Sequence, residues 1–72
     1  MTYPDMAAVE AADKLQLARW MRFLPSPGEA AAGTAGFDAA FAAEAKVLET
    51  IIARFAQQGG WTPEISKSVG WD

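Results

Sequence analysis

The chain reads as an all-α fold: a helical hairpin closed by a short third helix. Three observations predict it. Alanine, the strongest helix former, is the commonest of the 72 residues. Apolar residues recur at helical spacing in two segments, about 13–24 and about 37–58. Proline and glycine clusters fall between those segments and not inside them. One small domain covers 1–72, with no internal repeat and no low-complexity tract.

Residues 1–4 are a short lead-in. Asp5 can cap a helix running through "MAAVEAADKLQLARWMRFL". Alternatively Asp13 is the N-cap, with Gln16 as its capping-box partner three residues on. Leu17, Trp20, Met21 and Leu24 share one face, with Phe23 at its edge. Met6, Val9 and Asp13 fall on that face too. A carboxylate is awkward there inside a helix and natural at a helix start. The expected main helix therefore runs from about Asp13 to Leu24, with 6–12 helical but frayed or bent.

"PSPG" stops this helix. Pro25 disfavours helical dihedrals at Leu24, and Pro27-Gly28 makes a turn. "EAAAGTAG" continues as a linker with room for one helical turn. The second helix carries Phe37, Phe41, Leu48, Ile51, Ile52 and Phe55 in one stripe, and Gly59-Gly60 ends it. The closing helix, about 63–69, starts from the cap Thr62 and from Pro63 at its first position. Ile65 and Val69 share its inner face. Gly70 is placed to end it in the left-handed conformation, with Trp71 folding back. Trp20, Phe23, Phe37, Phe41, Phe55, Trp61 and Trp71 are expected to supply much of the core, because aromatic burial is how so short a chain collects area.

Composition excludes several function classes. The sequence contains no Cys and no His, so it has no disulfide and lacks the commonest zinc ligands. A chain of this length normally leans on disulfides, metals or partners. With the first two gone, a tidy helical core or association with a partner remains. The absence of Cys fits a reducing compartment. The first residues lack a basic stretch followed by an apolar run, and apolar stretches are broken well short of a membrane span. The expected setting is cytoplasmic, in a host cell or a virion, with no membrane partner.

Catalysis has little to work with. The remaining acid–base groups are carboxylates, Lys14, Lys46, Lys67 and Tyr3. No Ser sits in a nucleophile elbow, and "GEAAAGTAG" lacks the Gly-Lys-Ser/Thr of a phosphate loop. The acids are scattered singly, unlike a calcium loop. The expectation is no enzyme, no metal and no cofactor.

Three features invite a binding role. Glu44 interrupts the apolar stripe of the second helix. It reads as a poised acid, as a partner contact or, preferably, as one member of a buried ion pair with Arg19 or Arg22 across the hairpin. "RWMR" sets Arg19 and Arg22 one turn apart beside an exposed-looking Leu15. The pair can grip a phosphate or a partner's acids, or form a solvated face paired with local carboxylates, which is the preferred reading. Ala39, Ala42, Ala43 and Ala53 line the back of the long helix, where another helix can approach closely or solvent can lie.

"TPEISKSVGW" resembles the first helix of a bacterial helix-turn-helix, with its Thr-x-Glu-Ile and later Gly. A recognition helix follows that Gly in the family, and here two residues follow Gly70. The chain is also acidic, with net charge −3 and pI near 4.7, whereas DNA affinity rests on neutralising phosphates. The expectation is a capped closing helix, clamped by Trp61 and Trp71. The pairing of "ARWMRFLPSPG" with "GGWTPEISKSVGW" resembles small proteins of tailed bacteriophages and prophages. That resemblance implies a context: a virion accessory, or an early protein acting on a host target.

The sequence thus points to a non-catalytic protein–protein interaction module that binds a host protein, a virion component or itself. Arg19, Trp20, Arg22, Trp61 and Trp71 are the expected contacts, since Arg and Trp dominate binding hot spots. The alternatives are a small nucleic-acid-binding module using Arg19, Arg22 and Lys67, or an acidic mimic of nucleic acid.

Overall fold

The structure, a computed structural model, describes residues 2–70. Four α-helices and one 3-10 turn make it up: α1 (Met6–Ala11), α2 (Lys14–Phe23), the turn Glu29–Ala31, α3 (Phe37–Gln57) and α4 (Pro63–Ser68). The described residues contain no strand, so the all-α expectation holds.

Both candidate caps form. The Asp5 carboxylate accepts the Ala8 N–H at 2.8 Å, and the Asp13 carboxylate accepts the Gln16 N–H at 2.9 Å. An N-cap needs extended dihedrals. Asp13 adopts them, as does Ala12 before it, and together they break the chain. Residues 6–11 are therefore a separate helix, not the frayed start of α2. Pro25 ends α2 as expected, with Leu24 extended at ψ 141°. Ser26 to Glu29 then form a turn closed by the Glu29 N–H on the Ser26 carbonyl at 3.0 Å. Gly28, at φ 79° and ψ −2°, takes the position where a type II turn needs φ above zero.

At the far end of α3, Gly60 N–H reaches the Phe55 carbonyl and Gly59 N–H the Ala56 carbonyl. This is the paired bonding of a Schellman cap, at the two glycines the sequence provides. Thr62 caps α4 through its hydroxyl, which accepts the Ile65 N–H at 3.2 Å, and Pro63 opens it.

Contacts between elements fix the topology. Tyr3 donates its hydroxyl hydrogen to the Pro25 carbonyl at 2.6 Å, and Arg54 donates from Nη1 to the Val9 carbonyl at the end of α1. The first segment therefore runs alongside the second half of α3. α2 then runs back antiparallel to α3, with the Lys14 ammonium 5.8 Å from the centre of the Phe55 ring. The buried core is Val9, Leu17, Ala18, Ile51, Phe55 and Val69, with Trp20, Met21, Leu24, Val47 and Ile65 packed around it. Leu15 also packs against it and is not exposed.

The aromatic core expected from the sequence does not form. Of the six described residues in that set, Phe55 alone is buried; Trp20 and Phe37 are half-buried, and Phe23, Phe41 and Trp61 are exposed. Trp71, the seventh, lies outside the described residues. The reason is one of lengths. α3 has 21 residues and α2 has 10, so roughly 31 Å of helix faces roughly 15 Å of partner. Aliphatic residues in the overlap close the core, and Phe37 and Phe41, beyond it on α3, are covered only in part. The thinnest dimension, 15 Å, is the depth of two packed helices.

Candidate functional site

The four described residues among the five expected to bind a partner lie at two separate places. Arg19 is exposed on α2. Trp20 beside it is half-buried and packs against the core. Arg22 is half-buried, its guanidinium 4.9 Å from the centre of the Phe23 ring at the C-terminal end of α2. Trp61 sits beyond the other end of α2, its ring edge-on to Phe55 at 4.9 Å between centroids. About 15 Å of helix separates these two places. Trp71 lies outside the described residues.

Glu44 is half-buried, and its partner is not a guanidinium. Its Oε1 accepts the Gly28 N–H at 2.8 Å. Sequence reasoning looked for an opposite charge and missed the amide, because a turn sixteen residues earlier supplies it. The turn docks on α3 closely enough that a Cβ at Gly28 would lie 2.9 Å from Phe37 Cε1 and 3.2 Å from Phe41 Cα. Tyr3 closes the same corner. Its pKa is raised above the ordinary phenol value, first by burial and then by the negative charges of Glu44 and Glu29. This corner fastens the chain together. It is filled, and it leaves no space for a ligand.

The uncovered feature lies on α3. Phe41 and Ile52 are each 47% exposed, and Ala45 and Leu48 between them are half-buried. Their spacing of four, three and four residues puts all four on one edge of the helix. The strip is roughly 16 Å long. Asp38 and Glu49 are exposed and stand one turn before Phe41 and Ile52, on the solvent side. Neither has a hydrogen bond or ion pair from its side chain to another described residue. Lys46, the exposed base of α3, lies about 130° round the helix from the centre of the strip. The strip is thus apolar along its length and acidic along its open rim.

The sequence carried a signal for this strip, namely the width of the apolar stripe. From Val47 to Ile52 the large apolar positions of α3 span about 140° of the helical wheel. Two short helices, α1 and α2, packed along one side leave part of such an arc bare.

Among the described residues no cavity opens into the fold, no cluster of three potential metal ligands forms, and no helix is long and apolar enough to cross a membrane. No protein-family model matches the chain, and no curated protein or solved structure matches it either.

Proposed function

We propose that this chain is a non-catalytic protein–protein interaction module that presents the Phe41–Ala45–Leu48–Ile52 edge of α3 to a partner. The exposure of Phe41 and Ile52 on one continuous edge carries the reading. Large apolar side chains exposed in a row, and not singly, mark interaction surfaces. Catalysis would need acid–base or nucleophilic groups gathered in a cleft, and the corner that gathers Tyr3, Glu44 and Glu29 is filled. The net charge of −3 and the acidic rim of the strip oppose a nucleic acid partner. The resemblance of the "ARWMRFLPSPG" and "GGWTPEISKSVGW" blocks to small tailed-phage proteins supports a host protein or a virion component as the partner.

The test compares the full chain with a double variant, Phe41→Ser with Ile52→Ser, in affinity capture from bacterial lysate and from assembled particles. The expected result is a partner retained by the wild type and lost by the variant. Identical capture by both proteins would refute the α3 edge as the binding surface.

A further inference from the structure

The charge around the α3 strip says more about the partner, on the footing that the strip is an interaction surface. We infer that it docks a basic amphipathic helix of another protein. The apolar face of that helix lies along Phe41, Ala45, Leu48 and Ile52, and its Lys or Arg side chains meet Asp38 and Glu49.

Three observations lead there. The strip has heptad-like spacing, which receives another helix along its length and not a loop or a strand edge. Its exposed rim is of one sign. Asp38 and Glu49 border it, and the only exposed base of α3, Lys46, is turned away. Opposite charge along such a rim selects partners and orients them.

The third observation concerns a second copy of this chain, the other natural occupant. Antiparallel pairing of two strips would bring acidic rim to acidic rim, and either orientation would join molecules that each carry −3. The contact is also small. A footprint of roughly 16 Å by one helix width of about 10 Å falls well short of the ~800 Å² per partner of a standard stable interface. The monomer is of ordinary compactness without that contact. Its surface of 4489 Å² is close to the roughly 4,300 Å² of a folded monomer of 7.7 kDa. A small, charged, apolar edge suits a reversible heterologous contact.

The experiment uses the whole isotope-labelled chain and three synthetic helical peptides of about 14 residues, four turns of helix. The first has Leu at the facing heptad positions and Lys elsewhere. The second keeps the Leu positions and replaces Lys with Glu. The third has the composition of the first with the Leu spacing scrambled. Amide shifts are followed on titration and, without peptide, on dilution. The Lys peptide is expected to bind, with shifts confined to residues 38–56. The Glu peptide and the scrambled peptide are expected to bind at least ~10-fold more weakly, in line with loss of charge matching or of the seam. Raising salt from ~50 mM to ~500 mM is expected to weaken the Lys peptide. A variant with Asp38→Lys and Glu49→Lys, both exposed positions, is expected to prefer the Glu peptide.

Equal binding of the Lys and Glu peptides, or shifts that map away from α3, would overturn the inference. So would no binding by any peptide. Strip signals that move on dilution alone would also overturn it, by identifying a second copy as the occupant, and would leave the interaction role itself standing. Partner capture that depends on Phe41 and Ile52, combined with no peptide binding, would condemn the helix class alone.

Discussion

The carboxylate of Glu44 accepts the backbone N–H of Gly28 at 2.8 Å, tying the turn after α2 to the middle of α3. This bond stands where an ion pair was expected and holds the connection between α2 and α3 in place. A hydrogen bond to a charged group contributes about 1.5–3 kcal/mol net, and the partial exposure of this one puts it near the lower end. Glu44→Ala is expected to destabilise the fold by about 1–2 kcal/mol, lowering Tm by about 4–8 °C for each kcal/mol. Glu44→Gln keeps an acceptor and is expected to recover part of the loss. Urea denaturation of the three proteins measures this, and equal midpoints would show that the bond contributes nothing.

Gly28 and Gly33 have the same φ, 79°, in different surroundings. A Cβ at Gly33 meets nothing within 4 Å, whereas one at Gly28 comes within 3.2 Å of three atoms of Phe37 and Phe41. Left-handed backbone costs a non-glycine residue about 1–2 kcal/mol, and overpacking adds about 1–3 kcal/mol. Gly33→Ala is expected to cost about 1 kcal/mol and Gly28→Ala about 3 kcal/mol. The difference between them isolates the docking of the turn on α3. Equal losses in thermal melts would mean that the turn gives way freely.

The caps and stops of this fold were legible in the sequence, because each is a local event with its own chemistry. Asp13, Leu24-Pro25, Gly59-Gly60 and Thr62-Pro63 all act where their residue types predict. Coverage was not legible. Whether Phe41 is core or surface depends on how far α2 extends along α3 and on which side it packs, and α2 stops at Leu24, before Pro25, without covering it. The partner of Glu44 was hidden for a related reason. An amide in a turn carries no side-chain signature, so residue type pointed to Arg19 or Arg22 instead. The strip on α3 is what remains once those tertiary facts are combined with a stripe about 140° wide.

Tyr3 gives a pH prediction. Its proton is held more tightly in the folded chain than in the unfolded one, chiefly through burial and then through Glu44 and Glu29. The stability this contributes is fully present below pH 10.0, the ordinary phenol value, and is lost as pH rises through the higher folded value. The wild type is therefore expected to lose stability in that window relative to Tyr3→Phe, which has no phenol to ionise. Tyr3 is the only tyrosine, so phenolate absorbance reports its ionisation alone. A stability gap between the two proteins that stays constant through that window would refute the coupling.

The division between an aliphatic core and a bare apolar edge is the sharpest consequence of the fold. Leu17 and Ile51 are fully buried where α2 and α3 overlap, while Ile52 is 47% exposed one residue further on. Truncating a buried Leu or Ile to Ala costs about 2–5 kcal/mol. At about 0.05–0.15 kcal/mol per residue, a chain of this length holds only about 4–11 kcal/mol in all. Leu17→Ala and Ile51→Ala are thus expected to remove a large share of the stability, and Leu17→Ala can unfold the chain outright. Phe41→Ser and Ile52→Ser, whose side chains are about half covered, are expected to cost clearly less, about 1 kcal/mol each. That contrast would not exist if the stripe of α3 were one uniform core, because Ile51 and Ile52 would then cost the same. Circular dichroism melts of the four single variants decide the matter. A large loss in Ile52→Ser would mean that the edge is internal packing and not a surface held open for a partner.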